Sequence, residues 1–148
     1  LFGDDSHYEY KEGCILMIDN LMKMLKDHKL VTEKIQAPQI HQNNRKCDRF
    51  SIGNGVYALV SWHQAENQIL LGQLIDINEK GCGLSYVSDR NHAEKIQYQK
   101  KCRLKIVATY HVIELNENVV IYDHELPQYS TAAIAVRRCG IRFASKTE

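Results

Sequence analysis

Two arginines four residues apart, Arg45 and Arg49, sit in the polar segment Gln39-Ile40-His41-Gln42-Asn43-Asn44-Arg45-Lys46-Cys47-Asp48-Arg49. Guanidinium groups carry planar, forked donors that match phosphate oxygens and the O6/N7 edge of guanine. Their flat faces also stack on a base, so a pair on one loop can clamp a nucleotide from two sides. Taken alone, two such arginines are more commonly solvated loop charges. A second group follows at Asp76-Ile77-Asn78-Glu79-Lys80-Gly81, where an apolar run ends in a tight turn. Asp76 and Asn78 have the same strand parity, so both side chains can point to one side of a sheet. A carboxylate and an amide there can accept from the N1–H and N2–H₂ edge of guanine or from a ribose hydroxyl. Gly81 can take positive φ and admit close approach to the backbone. By itself this group reads as a hairpin with Asx-turn chemistry.

Other chemistry is sparse. The sequence holds no GxSxG, P-loop, GxGxxG or HExxH arrangement, and nothing places a base beside a nucleophile, so no enzyme is indicated. The five cysteines (14, 47, 82, 102 and 139) form no CxxC pair, and the seven histidines are scattered. Neither a disulfide framework nor a structural zinc site is expected, and no cofactor is implied. Cysteines of this kind read as small buried hydrophobes in a reducing compartment. Lys plus Arg (19) against Asp plus Glu (18) leaves a net charge of +1. That balance argues against binding long nucleic acids, which takes a strongly basic face, but leaves room for a small anion held by a few well-placed cations. No run approaches the ~18 apolar residues of a membrane span, and the first residues lack the basic and apolar regions of a signal peptide. A cytoplasmic domain is expected.

The elements that must position these groups fall into two textures. From about Glu9 to Gln36 the sequence reads as a helix, with Cys14, Ile18, Leu21, Leu25 and His28 at steps of four and three, and Ile15 and Met22 widening the stripe. Ala37-Pro38 ends the pattern. The stripe spans only two heptads, so packing on its own domain is favoured over a dimerising or partner-seeking helix. Residues 1–37 thus form a helical leader and 38–148 a β domain, with residues 39–50 as its loop. In that domain Val56–Trp62, Ile69–Ile77, Gly83–Val87 and Leu104–Ala108 read as strands. Val112–Leu115 and Val119–Tyr122 flank a hairpin turn at Asn116-Glu117-Asn118, and a last strand holds Cys139, Ile141 and Phe143. A short helical turn is expected within Ser88–Lys100. Several short strands with turns between them predict a mainly β fold, a small antiparallel barrel or sandwich.

In this order and spacing the two groups resemble the PilZ domain family, which carries RxxxR in an N-terminal loop and [D/N]xSxxG after the second strand of a six-stranded β-barrel. The first motif is complete as Arg45-Lys46-Cys47-Asp48-Arg49, and the second has Asn78 where the family has Ser. Gly72-Gln73-Leu74-Ile75-Asp76-Ile77-Asn78, Gly81-Cys82-Gly83-Leu84 and Arg137-Arg138-Cys139-Gly140-Ile141-Arg142-Phe143 are similar to the family's texture and last strand, so the resemblance spans roughly residues 44 to 144. It implies a six-stranded PilZ-like barrel behind an N-terminal helix. It also implies a bacterial receptor for cyclic di-GMP, with Arg45 and Arg49 on phosphates and guanines, Asp76 on a guanine edge, Gly81 allowing close approach, and Asn78 in place of the serine. Arg138 reads as a solvated charge beside the site. Ligand binding would order the Gln39–Arg49 segment and reorient the helix around Ile15–Leu25, signalling to a downstream protein partner, with a homodimer also possible. The alternative is a degenerate PilZ-like domain that binds a protein and no nucleotide. An OB-like barrel for single strands fits poorly with the near-zero charge.

Overall fold

The computed structural model describes residues 18–35, 48–63, 65–90, 101–109 and 111–144. In them a helix, α1, covers residues 18–27. The strands are β1 (Val31–Ile35), β2 (Arg49–Ile52), β3 (Val56–Trp62), β4 (Ala65–Ile77), β5 (Gly81–Asp89), β6 (Lys101–Ala108), β7 (His111–Glu125) and β8 (Ile134–Arg142), with a 3₁₀ turn at Pro127–Tyr129. β3 and β6 alternate buried and more exposed side chains, the period-2 pattern of a strand with one face on a core.

Six strands, in the order β4–β3–β6–β7–β8–β5, return onto β4 and close an antiparallel barrel, as the sequence predicts. Closure depends on the length of β4. One edge pairs with β3, from Tyr57↔Gln73 to Trp62↔Ala65, and the other edge pairs with β5, from Gln73↔Ser85 to Ile77↔Cys82. Beyond the end of β3, β4 accepts β2 through Phe50↔Ile77 and Ser51↔Asp76, and β1 pairs with β2. The barrel is lined by Val56, Val60, Leu74, Leu84, Leu104, Ile106 and Ile141, all almost wholly buried.

Helix α1 belongs to the same core. Ile18, Leu21, Met22, Met24 and Leu25 are buried in one cluster with the barrel residues, so the stripe packs on its own domain. The His28 ring lies 4.6 Å from that of His111 at the start of β7, and the Lys26 ammonium sits 4.8 Å from the centre of the Phe50 ring. No described helix is long and apolar enough to cross a membrane.

Three expectations need correction. The helix ends at residue 27, well short of Gln36. Its stop is a Schellman motif: Lys29 is left-handed at φ 54°, the Leu30 N–H donates to the Leu25 carbonyl at 2.9 Å, and the Lys29 N–H donates to the Lys26 carbonyl at 3.1 Å. Val31, Thr32 and Ile35 are β-branched, and they form β1 instead of a further helical turn. The helical leader 1–37 therefore contains a strand of the sheet, and residues 36–48 connect β1 to β2 rather than a helix to a barrel strand. Asn116-Glu117-Asn118 is likewise no hairpin turn. β7 runs unbroken for 15 residues and absorbs Glu117, at φ 62°, as a β-bulge between Leu104↔Leu115 and Cys102↔Asn118. The Asn118 amide donates to the Leu115 and Cys102 carbonyls and pins the bulge. Of Ser88–Lys100, Ser88 and Asp89 belong to β5; the remainder from 91 onward lies outside the described residues.

Two outcomes follow for stability. Lys29 occupies a left-handed site that suits glycine, so Lys29→Gly is expected to stabilise the fold by about 0.5–1 kcal/mol in urea unfolding. Cys82, Cys102 and Cys139 are buried free thiols. Desolvation raises all three, Cys102 to about 11 and Cys139 to about 12, from an ordinary value of 9.0. Burial favours the neutral thiol. The stabilising contribution is therefore complete below pH 9 and is lost as pH climbs from there through the folded values. A thiol reagent at pH 8 should leave these three cysteines unlabelled in the native protein and label them after unfolding, read by peptide mass spectrometry.

Candidate functional site

A row of paired residues crosses the outer face of the barrel. Asp76 of β4 faces Gly83 of β5, Gly83 faces Gly140 of β8, and Gly140 faces Tyr122 of β7. The glycines are steric necessities. A Cβ on Gly83 would lie 2.8 Å from Asp76 Oδ1, and one on Gly140 would lie 2.1 Å from the Tyr122 ring. The two bare positions let a carboxylate and an aromatic ring lie down on the neighbouring strands.

Asp76 is 3% exposed. A carboxylate so far from water must be paired and hydrogen-bonded. Arg49 Nη2 and Arg138 Nη2 both donate to its Oδ2, and both guanidinium groups keep part of their surface in solvent. Arg49 arrives because β2 pairs beside Asp76, and Arg138 arrives along β8. The hydrogen bond from Arg49 to Asp76 and the charge of that carboxylate raise the Arg49 guanidinium above its ordinary value against the opposing effect of burial. An extra residue in β4, Ile75, sits between Leu74↔Leu84 and Asp76↔Gly83. This bulge breaks the simple parity count and turns Asp76 away from the apolar interior.

Asn78 and Gly81 shape the turn that follows. Asn78 Oδ1 accepts from the backbone N–H of Lys80 and of Gly81, each at 2.8 Å, an Asx turn. Gly81 is held against β8: a Cβ there would lie 2.2 Å from the Ile141 carbonyl oxygen.

Arg49, Asp76, Asn78 and Gly81 all line one cleft of about 290 Å³, near the lower end of the range for small-molecule sites. Arg45 lies outside the described residues. Lys80, Ile121, Tyr122 and Arg142 complete the walls, and none of these four was singled out by sequence reasoning. Part of the signal was there: Arg138, Gly140 and Arg142 share one strand parity, as do Gly81 and Gly83. Tyr122 was hidden, because a bulge at Ile121 between Val120↔Ile141 and Tyr122↔Gly140 resets the alternation. Arg138 is a paired group rather than a solvated charge.

Chemically the cleft offers cations at Arg49, Lys80 and Arg142, one neutralised carboxylate, and an aromatic face. That set suits an anion carrying a planar ring. Among the described residues no group of three or more His, Cys, Asp or Glu side chains gathers to hold a metal ion. Comparison with protein-family models, with curated proteins and with solved structures gives no match for this chain.

The carboxylate between two guanidinium groups predicts a steep cost of neutralising it. Asp76→Asn keeps the shape and leaves two cations facing an amide, with an expected loss of roughly 2–4 kcal/mol in urea unfolding. Arg138→Ala should cost less, because Arg49 still pairs the carboxylate.

Proposed function

We propose that this chain is a receptor module for cyclic di-GMP, as its resemblance to the PilZ domain family implies. The observation that carries the reading is the convergence of Arg49, Asp76, Asn78 and Gly81, from β2 and from the β4–β5 turn, on one cation-rimmed cleft. Arg45 stands four residues before Arg49 in the sequence, and Arg49 lines the cleft. On this reading the guanidinium groups hold the two phosphates and engage the guanines, Asp76 orients Arg49 and Arg138 and presents its remaining acceptor capacity to a guanine edge, and no bond is made or broken. The module would act in the bacterial cytoplasm as a signalling component.

Residues 36–48 connect two strands already paired through Ile35↔Arg49. A ligand that engages that connection acts first on β2. From there Phe50, beneath Lys26, carries the change to α1. The apolar stripe of α1 is packed in the core, so a protein partner reading this helix meets its exposed face of Asp19, Asn20, Lys23 and Asp27.

A second reading has its own observation. Asp76 is already neutralised by two arginines and the Asn78 carbonyl is committed to its turn, which is what a domain that keeps the fold and binds a protein partner alone would require.

Calorimetry with cyclic di-GMP on the intact chain, on Arg45→Ala and on Arg49→Ala separates the two. The receptor reading expects binding heat with the intact chain and a loss of about tenfold or more in each variant, since a charge-assisted bond is worth ~1.5–3 kcal/mol. Absence of heat with the intact protein retires it in favour of the second reading.

A further inference from the structure

We propose that Tyr122 is the stacking platform of the cleft, holding a planar heteroaromatic ring against its outward face. The proposal builds on the nucleotide reading above and adds the residue that recognises the ring rather than the phosphate.

The orientation of Tyr122 carries the argument. Three of its ring atoms, Cε1, Cζ and Cδ1, would lie 2.1, 2.6 and 2.7 Å from a Cβ on Gly140. Contacts from three atoms at once mean that the ring lies flat along β8, not edge-on to it. A tyrosine laid flat on a strand has one face on the backbone and the other outward, and this one remains partly exposed and lines the cleft. The His124 ring, two residues on, stacks near-parallel with Tyr122, inclined by 26° with its centroid 5.6 Å away. The bulge at Ile121 places an apolar side chain, 52% exposed, beside the Tyr122 ring as a wall.

The surroundings fix what the ring is for. Arg49, Lys80 and Arg142 supply donors for anionic oxygens at the same cleft, and Arg49 is held in place by Asp76. A ligand with phosphates on these cations and a ring attached to them through a sugar has its ring delivered to the Tyr122 face. Stacking is tolerant of ring identity because every base has a π-face. Tyr122 therefore supplies affinity for a base in general, and the polar groups around Asp76 supply the choice among bases.

The test follows the Tyr122 ring resonances of the full chain by NMR on addition of 5′-GMP, of cyclic di-GMP and of ribose 5-phosphate, with affinities repeated on Tyr122→Phe and Tyr122→Leu. Phenylalanine keeps the π-face; leucine still covers Gly140 without one. Expected are upfield ring-current shifts with either nucleotide, affinity within about twofold in the phenylalanine variant, and a loss of about tenfold in the leucine variant. Ribose 5-phosphate should bind all three proteins alike and leave Tyr122 unshifted. Unmoved Tyr122 resonances at saturation, or a leucine variant as tight as the parent, overturn the platform while leaving cyclic di-GMP binding intact. Ring-current shifts with 5′-GMP in a chain that ignores cyclic di-GMP uphold the platform and retire the cyclic dinucleotide. No response to either nucleotide overturns both.

Discussion

A buried carboxylate is the constraint around which this outer face of the barrel is built. Asp76 cannot be withdrawn from water without partners, and two guanidinium groups on one oxygen supply them. Each accommodation is visible in the chain. β4 inserts Ile75 to turn the side chain outward, β5 gives up a Cβ at Gly83 to make room for it, β8 contributes Arg138, and β2 adds to the sheet where its first residue meets the carboxylate. The ion triad thus ties together three strands, β2, β4 and β8, that do not follow one another in sequence. Its cost is desolvation and its return is a set of fixed donors.

Those donors are fixed before any ligand arrives. Arg49 is oriented by Asp76, the turn at Asn78 is closed by its own side chain, and Tyr122 is laid down by the missing Cβ of Gly140. Preorganisation of this kind lowers the ordering cost on association. It also means that single residues serve both fold and cleft. A structural role for Asp76 or Gly81 does not compete with a binding role; it explains why the geometry is stiff.

Much of this was legible from residue types. Strand β3 follows from its β-branched and aromatic residues and β6 from period-2 alternation; short strands separated by turns point to an antiparallel barrel or sandwich, and the count of six is what the family resemblance implies. Arg49, Asp76, Asn78 and Gly81 were found as spaced polar groups and meet at one cleft. What escaped is what local periodicity does not encode. Val31–Ile35 lies in register with an amphipathic stripe yet pairs with β2, a long-range contact that overrides the continuing helical pattern. Asn116-Glu117-Asn118 has turn composition, but a barrel strand that must bend uses the same left-handed residue as a bulge. The bulges at Ile75 and Ile121 each shift parity by one, which is why Tyr122 and the Arg138 pairing did not emerge from counting.

The pairing Ile35↔Arg49 carries a consequence for how this chain can change over generations. The connection at residues 36–48 begins and ends on two strands already zipped together, so its length does not set their register. Closing a flexible connection costs only about 0.6 kcal/mol more for each doubling of its length. Insertions, deletions and exchanges there are nearly free for the fold, while the barrel, the ion triad and the aromatic floor stay put. The connection is a cassette, open to mutational drift or to an engineer, set beside a cleft whose described walls are cast with the sheet.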